Sequence, residues 1–397
     1  MAIDCERLIS DRARSIDASG IRKVFDLGAT LKDPINLSIG QPDFAVPQEM
    51  KRAACEAIEN NQNGYTLTQG IPALRRAICA HVTKDLGWPS DLGEAGAATQ
   101  AMVTTGTSGG LFLAFMSLLG PGDEIIVPDP YFVAYPHMPR LAGATVVKCD
   151  TYPDFRMTAD RIEPLITSKT KVVLIDSPSN PAGVVLSGQE CRDVLELCRA
   201  KGVLLISDEI YDEFTFADHR ERLEDGRMVC PSPARFAGAH EDVLLIRGFG
   251  KTYGCTGWRM GYAAGPAPVI GAMTKMQQYS FVCAPTPLQH GCLASFGVDM
   301  TETVARFAHR RDMVLAALGD LTHVANPGGA FYAFVEVPRR IGMSGQEFFQ
   351  RAVEKNVLTI PGNVFSDHDT HFRLSFAIDE ERLARGLEIL AGLMRGE

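Results

Sequence analysis

The chain has 397 residues, of which 46% are hydrophobic and 22% charged, and its formal net charge at pH 7 is −9. This length exceeds what a single hydrophobic core usually serves, so we expect two domains of a soluble globular protein. The acidic balance, without a long basic run, argues against binding to nucleic acid.

The cysteines and the amino terminus bear on the cellular compartment. The ten cysteines form no Cys-x-x-Cys pair and no metal-like cluster with histidine, so we expect reduced thiols and no bound metal. Residues 1–7 lack the apolar core of a signal peptide. The most apolar stretch, at 111–119, spans nine residues and is too short to cross a bilayer. The sequence therefore predicts a cytoplasmic protein with no membrane role.

Between residues 102 and 262, short apolar runs of strand length alternate with helical patterns. Such alternation is typical of a largely parallel sheet covered by helices, so we predict an α/β fold for this large domain. After Pro285 the pattern changes to that of a smaller α+β domain. The elements predicted there are a helix at 301–318, strands at 330–337, 357–360 and 371–376, and a last helix from Glu380.

Two charged segments of the sequence are expected to lie on the protein surface. The run His309-Arg310-Arg311 is interpreted as the solvated face of the helix at 301–318. Residues 218–241 are rich in proline, glycine and charge, and we interpret them as an excursion on the surface. Neither segment is assigned a function.

The first candidate site residues stand where an early strand ends. The strand that begins near Met102 breaks into Gly106, Thr107 and Ser108 before a helical stretch. Backbone amides at a helix start, together with the two hydroxyls, can bind a phosphate, although a plain helix cap explains the same residues. Phe132 follows the next strand and is placed either to stack on a planar ring or to pack in the core.

Two later strands end in polar side chains. The apolar run at 171–176 leads into a turn with Asn180 before a proline, and the run at 203–207 leads into Asp208 and Tyr211. An acid at the carboxyl end of a buried parallel strand lies where open α/β sheets bind their ligands. Taken alone, Asn180 is ordinary turn chemistry and Asp208 is equally well a helix cap.

Lys251 and Arg259 complete the set. Lys251 lies between Gly250 and Thr252 and precedes Arg259 by eight positions. Each cation alone is more simply a surface residue. Together they suit an amine that reaches an aldehyde while a guanidinium holds a phosphate of the same molecule, which is the chemistry of pyridoxal 5′-phosphate. Asp208 would keep that cofactor's pyridine nitrogen protonated, so that the ring can withdraw electrons from a carbanion.

On these residues the chain resembles the class I/II aminotransferases, which are pyridoxal-phosphate enzymes of fold type I. The resemblance runs from about Ser15 to the last helix, and residues 19–27 resemble the start of relatives that act on aspartate or aromatic amino acids. The other landmarks follow the family's order and are Gly40-Gln41-Pro42-Asp43-Phe44, Tyr65, Gly70, Leu74-Arg75 and Arg373-Leu374-Ser375.

The resemblance implies an aminotransferase that moves an amino group between an L-amino acid (aspartate, aromatic or other, with glutamate) and a 2-oxo acid. Lys251, Asp208 and Tyr211 would be its catalytic residues, with Lys251 bonded to the cofactor. The remaining cofactor contacts would be Gly106, Thr107, Ser108, Phe132, Asn180, Arg259 and Tyr65. Gly40, Asn180 and Arg373 would bind the substrate, with Arg373 holding its carboxylate in a bidentate manner.

The resemblance also implies how the chain is organised and assembled. Tyr65 resembles the residue that family members lend to the phosphate of the neighbouring subunit, which implies a homodimer with shared active sites. A large cofactor-binding domain would span residues 44–285. A discontinuous small domain would combine residues 1–43 with 286–397.

Gly248 and Gly250 depart from the family's pattern. Many relatives carry hydroxyl residues at these positions, three and one before the lysine, where they contact the phosphate. We therefore expect cofactor retention to be weaker by ~1 kcal/mol for each missing hydrogen bond. The reaction itself does not depend on these two positions.

Two other functions share much of this pattern. A lyase with the same cofactor could use the same lysine, aspartate and arginines, but would release pyruvate with ammonia or a thiol instead of transferring an amino group. The fold also serves as the effector-sensing half of transcription regulators. Only about forty residues precede the core here, which disfavours the second alternative.

Overall fold

The computed structural model describes residues 3–397, and the elements below belong to that part of the chain. The strands are β1 Ile35–Asn36, β2 Thr99–Thr105, β3 Glu124–Asp129, β4 Thr145–Asp150, β5 Thr170–Asp176, β6 Leu204–Asp208, β7 Glu221–Arg222, β8 Met228–Val229, β9 Val243–Gly248, β10 Met260–Pro266, β11 Tyr332–Glu336, β12 Val357–Leu358, β13 Ile360–Pro361 and β14 His371–Ser375. The helices are α1 Asp11–Arg14, α2 Gly20–Gly28, α3 Gln48–Glu59, α4 Pro72–Leu86, α5 Gly106–Leu118, α6 Met138–Leu141, α7 Ala159–Ile162, α8 Gly188–Lys201, α9 Ala267–Gln278, α10 Thr286–Leu293, α11 Thr301–Leu318, α12 Gly345–Glu354 and α13 Glu380–Arg395. Within the same residues, none of the helices has both the length and the apolar character needed to cross a bilayer.

The main sheet of the described chain has seven strands in the order β2-β10-β9-β6-β5-β3-β4. Parallel pairs join β4 to β3, β3 to β5, β5 to β6 and β6 to β9, whereas β10 runs antiparallel to both of its neighbours. The interior strands β5 and β6 are mostly apolar and buried, as expected for strands covered on both faces. The α/β fold with a mainly parallel sheet, predicted from the sequence, is confirmed.

Side chains that alternate across the sheet build two hydrophobic cores. Ile125 and Val127 of β3 belong to a cluster with α5 and α9 on one face, whereas Ile126 belongs to a cluster with α4 and α8 on the other. This period of two is a property of the extended strand. Because helices cover both faces, the ends of the strands are the place where a ligand can enter.

A second assembly contains a three-stranded antiparallel sheet, in the order β11-β14-β13, packed with α11, α12 and α13. The short strand β1 from the amino-terminal segment pairs in parallel with β12, with Ile35 opposite Val357. Ile35 and Leu37 are buried in the same hydrophobic cluster as residues of α11 and α13. The amino-terminal segment therefore packs with the carboxyl-terminal part of the chain.

The single strand predicted at residues 357–360 is wrong. Val357–Leu358 pairs with β1, and Ile360–Pro361 pairs with β14, so the chain changes from one sheet to another at the buried Thr359. Both short strands are apolar and buried. A continuous apolar run therefore gave no sign of the break.

The solvated basic face predicted on α11 is wrong for two of its three residues, because Arg310 is 7% exposed and Arg311 is 6% exposed. Arg310 Nη1 lies 2.9 Å from Asp43 Oδ2, and Arg311 Nη1 lies 3.0 Å from Asp218 Oδ2. Both acids come from segments that are distant in sequence. Helical periodicity could not show that these cations would be covered and paired.

Residues 218–241 are only partly the surface excursion that their composition suggests. They contain the hairpin β7–β8, followed by the buried residues Ser232 and Ala234. The Ser232 hydroxyl donates to Glu209 Oε1 at 2.6 Å, and Trp88 Nε1 donates to Ala234 O at 2.7 Å. The segment therefore packs against the end of β6, and the interpretation as a purely external loop is wrong.

A buried ionic cluster ties β9 to the end of β6. Arg247 of β9 donates from Nη2 to Glu209 Oε2 and from Nη1 to Asp85 Oδ2, both at 2.8 Å. Asp212 Oδ2 lies 3.1 Å from the same Nη1. The Arg247 guanidinium thus faces three carboxyl groups, which offset the cost of burying its positive charge. The cluster fixes the relative position of the two strand ends that lead into the candidate site.

Candidate active site

A cavity of about 360 Å³ opens at the carboxyl ends of β5 and β6, beside the start of α5. It gathers residues that are far apart in sequence but come from the ends of neighbouring strands. Of the predicted site residues, those that line it are Gly40, Gly106, Thr107, Ser108, Phe132, Asn180, Asp208, Tyr211, Lys251, Arg259 and Arg373. Tyr65 does not line it, and its side chain projects from the surface with 87% exposure.

Lys251 follows the end of β9 and projects into the cavity. Its Nζ donates a hydrogen bond to the backbone oxygen of Gly40. Burial, and then the positive charges of Arg373 and Arg259, lower the pKa of Lys251 to about 7. A large fraction of this amine is therefore neutral at neutral pH, the form that acts as a nucleophile or accepts a proton.

Asp208 ends β6 and is 3% exposed. Its Oδ2 accepts a hydrogen bond from the Tyr135 hydroxyl at 2.9 Å, and its Oδ1 accepts one from the Ile210 amide at 3.3 Å. Burial raises the pKa of Asp208 to about 6, while these hydrogen bonds act in the opposite direction. The carboxylate is therefore mostly ionised at neutral pH and suited to pair with a protonated nitrogen.

The start of α5 lies beside Arg259 in an arrangement that can attract an anion. Thr105, which precedes the helix, makes no side-chain cap, so the first amides of α5 are left for another acceptor. Gly106 has a φ of 69°, and a Cβ there would lie 2.8 Å from Arg259 Nη2. A Cβ on Gly261 would lie 2.7 Å from the Gly106 carbonyl carbon. Only glycines allow the guanidinium and the helix start to come this close, and both attract an anion.

Arg373 of β14 is almost fully buried and rigidly held. Its Nη1 donates to Asn180 Oδ1 at 3.0 Å, and its Nη2 donates to Ser38 O at 2.9 Å. The guanidinium lies between the rings of Tyr332 and Phe365, 4.4 and 4.6 Å from their centroids. Its Nε is buried without a hydrogen-bond partner among residues 3–397. A ligand carboxylate would satisfy this donor and the positive charge.

The cavity also contains residues that the sequence did not single out. Tyr135 binds Asp208, and the Tyr211 hydroxyl donates to the Tyr332 hydroxyl at 3.2 Å. Tyr135 and Tyr332 were not predicted, because no local sequence pattern distinguishes them from core residues. Asp176 lines the cavity at the end of β5, in the same position that drew attention to Asp208 on β6. The strand-end signal could therefore have identified Asp176.

The sequence profile described as aminotransferase class I and II matches residues 32–390. The chain belongs to the class I and II aminotransferase family. A Bacillus subtilis protein named putative aminotransferase YugH is 34% identical to this aminotransferase over 389 residues, which are 96% of each chain. Aromatic-amino-acid aminotransferase 2 of Thermococcus litoralis is 30% identical and covers 98% of each chain. The crystal structure of aspartate aminotransferase from Thermotoga maritima matches with a TM-score of 0.87 at 31% identity, covering 98% of this chain and 100% of that one.

The aminotransferase thus transfers an amino group between an amino acid and a 2-oxo acid, and its family depends on pyridoxal 5′-phosphate. That cofactor needs an amine for its aldehyde, an acid for its ring nitrogen and an anion site for its phosphate. The cavity offers Lys251, Asp208 and the α5 start with Arg259 for these three groups. Thr105 Oγ1 beside that helix start is buried without a partner in the described chain. The residues present therefore fit the family's cofactor.

The two glycines before the lysine differ in the space around them. A Cβ on Gly248 would lie 2.8 Å from Ile210 Cδ1 and 3.0 Å from Thr107 Cγ2, so a side chain there requires its neighbours to move. A Cβ on Gly250 would come no nearer than 3.4 Å to any atom of the described chain, where the closest is Thr256 Cα. A serine side chain can therefore be accommodated at Gly250 more easily than at Gly248.

We predict that Gly250→Ser lowers the dissociation constant of pyridoxal 5′-phosphate by about fivefold, because one added hydrogen bond contributes ~1 kcal/mol. Absorbance titration of the apo-protein measures this constant. Gly271→Ser is the matched control, since Gly271 lies on α9 with open space around it and outside the cavity. An unchanged constant in Gly250→Ser would show that no phosphate bond is missing at this position.

Proposed function

We propose that the cavity binds pyridoxal 5′-phosphate, with Lys251 Nζ bonded to the aldehyde carbon. The observation that carries this proposal is a buried amine with a pKa of about 7 sharing one cavity with a buried acid and an uncapped helix start. The amides of Gly106, Thr107 and Ser108 would hold the phosphate together with Arg259. Asp208 would pair with the ring nitrogen.

The bound cofactor supplies an electron-withdrawing pyridinium ring, which lets the α-proton of an attached amino acid leave. Lys251 Nζ, once free, accepts that proton as a general base, since its lowered pKa keeps the neutral form available. The Asp208 carboxylate would hold the proton on the ring nitrogen. Asn180 and Tyr211 would hold the phenolic oxygen, and Phe132 would pack on the ring face.

Arg373 would bind the α-carboxylate of both the amino acid and the 2-oxo acid. Its two fixed hydrogen bonds, to Asn180 and Ser38, orient the guanidinium before substrate arrives, so little conformational entropy is lost on binding. The backbone of Gly40 lies beside the Lys251 amine and would assist. One site therefore serves both halves of the transfer, because amino and oxo substrates share this carboxylate.

The amino donor we propose is an aromatic or other large apolar amino acid, with glutamate and 2-oxoglutarate as the second pair. Ile21, Phe25 and Ile39 form an apolar part of the cavity wall. The cations that line the cavity within the described chain are Lys251, Arg259 and Arg373, all assigned to cofactor or α-carboxylate. The distal carboxylate of glutamate, 2-oxoglutarate or aspartate would therefore require a cation from the neighbouring subunit, whereas an apolar side chain finds its contacts in this wall.

We further propose a homodimer in which Tyr65 reaches the phosphate site of the neighbouring subunit. Tyr65 and Tyr279 are 87% and 92% exposed, and Leu67 and Phe281 are also exposed. The two segments are held together, because Gln277 Nε2 donates a hydrogen bond to the backbone oxygen of Thr68. An exposed apolar patch of this kind indicates an interface, and Phe281 also packs on Phe112 of α5.

The domain division and the compartment are further parts of the proposal. A large domain at 44–285 and a small domain of 1–43 with 286–397 are supported by the pairing of β1 with β12 and by the shared core of Ile35 and α13. A cytoplasmic setting is supported by the ten cysteines, all of which are free thiols.

The linkage to Lys251 is tested by borohydride reduction after incubation with pyridoxal 5′-phosphate. We expect a pyridoxyl adduct on the peptide containing Lys251, with formation half-maximal near pH 7 because the protonated amine below that pH does not react. Lys251→Ala should lose the adduct and about 10²–10⁴-fold or more of the transamination rate. Lys275→Ala on α9 is the control that keeps both. An adduct elsewhere, or normal transfer by Lys251→Ala, would refute the proposal.

Donor choice is tested by assaying aromatic, aliphatic and acidic amino acids against 2-oxoglutarate, pyruvate and oxaloacetate. We expect kcat/KM to be highest for aromatic donors and to fall about tenfold for them in Phe25→Ala, through loss of ~1–2 kcal/mol of apolar contact. Ile58→Ala is the control, since Ile58 is exposed to a similar extent but lies outside the cavity. Release of pyruvate and ammonia without amino transfer would select the lyase instead.

The shared site is tested by mixing two defective variants. Tyr65→Ala should weaken cofactor retention in both sites of its dimer, and Lys251→Ala should abolish transfer. In the mixed dimer, one site combines an intact Lys251 with an intact Tyr65, so we expect activity to reappear on subunit exchange. The control is a mixture of Lys251→Ala with Asp208→Asn. Both residues line the cavity of their own chain, so we expect no activity to return in this mixture. Recovery in that control, or none in the first pair, would contradict the assignment of Tyr65 to the neighbour.

A further inference from the structure

Asp176 and Asp208 are direct neighbours in the sheet. Their Cα atoms are register partners at the carboxyl ends of β5 and β6, and both side chains line the cavity. Adjacent strands in a sheet lie about 4.8 Å apart, and partners in a parallel pair point to the same side. Two carboxyl groups are thus held together at the floor of the site, although only Asp208 has a role in the proposed chemistry.

Their hydrogen bonds differ in a way that decides where a charge is favoured. Asp208 accepts from the Tyr135 hydroxyl and from the Ile210 amide, whereas Asp176 accepts from the Asn180 amide at 3.1 Å. Asp208 is buried and Asp176 is half-buried beside it. Two carboxylates held this close repel each other, and the repulsion favours a proton on one of them. Asp208 accepts two of these hydrogen bonds and Asp176 accepts one, so the negative charge is favoured on Asp208.

We propose that Asp176 and Asp208 share one negative charge at neutral pH, with the proton on Asp176, so that Asp176 is a positioning residue that confines the anion to Asp208. This inference rests on the proposed function in so far as Asp208 faces the cofactor nitrogen. The carboxyl pair itself exists without the cofactor.

The pKa values of the two acids agree with a proton on Asp176 and a negative charge on Asp208. Burial, opposed by the Asn180 amide and assisted by the negative charge of Asp208, raises the pKa of Asp176 to about 8. Asp208 lies lower, at a pKa of about 6. Asp176 is half-buried and borders the cavity, so a ligand that displaces cavity water strengthens the effect of burial. The other titratable groups around this cavity are Tyr135, Tyr211, Tyr332, Lys251, Arg259 and Arg373.

Asp176 also connects the pair to the substrate arginine. Asn180 donates its amide to Asp176 Oδ2, and its side-chain oxygen accepts from Arg373 Nη1. A protonated carboxyl still offers an oxygen to that amide. The turn that orients Arg373 is therefore retained when Asp176 is neutral, and an asparagine in its place would preserve the same bond.

The apo-protein provides the first test, through the thermal unfolding of Asp176→Asn across pH. A carboxyl whose pKa rises on folding costs stability that grows as pH increases from its unfolded value towards its folded value. That window runs from the ordinary carboxyl pKa of about 4 to the folded value of about 8. We therefore expect the Tm of Asp176→Asn, relative to that of wild type, to increase by roughly 2–5 °C between pH 5 and pH 8. Asp320→Asn, at an exposed position, is the charge-matched control and should show no such divergence.

Infrared difference spectra provide the second test, which needs no cofactor. Wild type should lose a protonated-carboxyl band between pH 7 and pH 9.5 that Asp176→Asn lacks at both values. If Asp176→Asn does not fold, Asp176→Ser keeps an oxygen acceptor and serves in both measurements. Parallel unfolding profiles together with the same carboxyl bands in both proteins would overturn the proposal.

The cofactor-loaded protein provides the third test. The visible absorbance of the bound cofactor should show an ionisation near pH 8 in wild type that is absent in Asp176→Asn, because a second anion formed beside Asp208 changes the field at the ring. If Asp176 only held the turn at Asn180, the absorbance titration would be the same in wild type and Asp176→Asn. Identical titrations would therefore refute the proposal that Asp176 acts through its charge. Failure to bind cofactor would refute the proposed function, whereas the two apo-protein tests would still decide the carboxyl pair.

Discussion

The parallel register of β5, β6 and β9 is the constraint on which the site depends. Asp176 is opposite Asp208, and Asp208 is opposite Ile246, so the three strands end at one edge of the sheet. Because helices cover both faces, that edge is where polar side chains can meet a ligand. The buried ionic cluster around Arg247 links β9 to the end of β6 and so keeps the amine of Lys251 and the acid of Asp208 at the same cavity.

Burial then adjusts the chemistry of these groups in a consistent direction. Removal from water favours the neutral form of an amine and of an acid, so it lowers the pKa of Lys251 and raises that of Asp208. The guanidinium groups of Arg259 and Arg373 line the same cavity, where a phosphate and a carboxylate are their natural partners. Backbone oxygens after β1 reach into this arrangement, since Gly40 accepts from Lys251 and Ser38 accepts from Arg373. The positions of Lys251 and Arg373 in the cavity thus depend on the packing of the amino-terminal segment against β12.

Much of the fold was predictable because its elements are encoded by local patterns. The helix at Thr301–Leu318 and the strand pattern of the main sheet follow from hydrophobic periodicity and length. The break at Thr359 and the burial of Arg310 and Arg311 were not predictable. Both result from contacts with segments distant in the chain, and a local pattern does not contain the position of its future neighbours.

The sequence by itself determined the family, the fold class and the chemically distinctive candidates Lys251, Asp208 and Arg259, because each follows a strand end or a fixed spacing. The tertiary structure decided which other groups surround them. Tyr135 reaches Asp208 and Asp176 stands beside it only because strands far apart in sequence are neighbours in the sheet. The acidity of each group likewise depends on burial and on nearby charges, which are properties of the packed molecule and not of residue order.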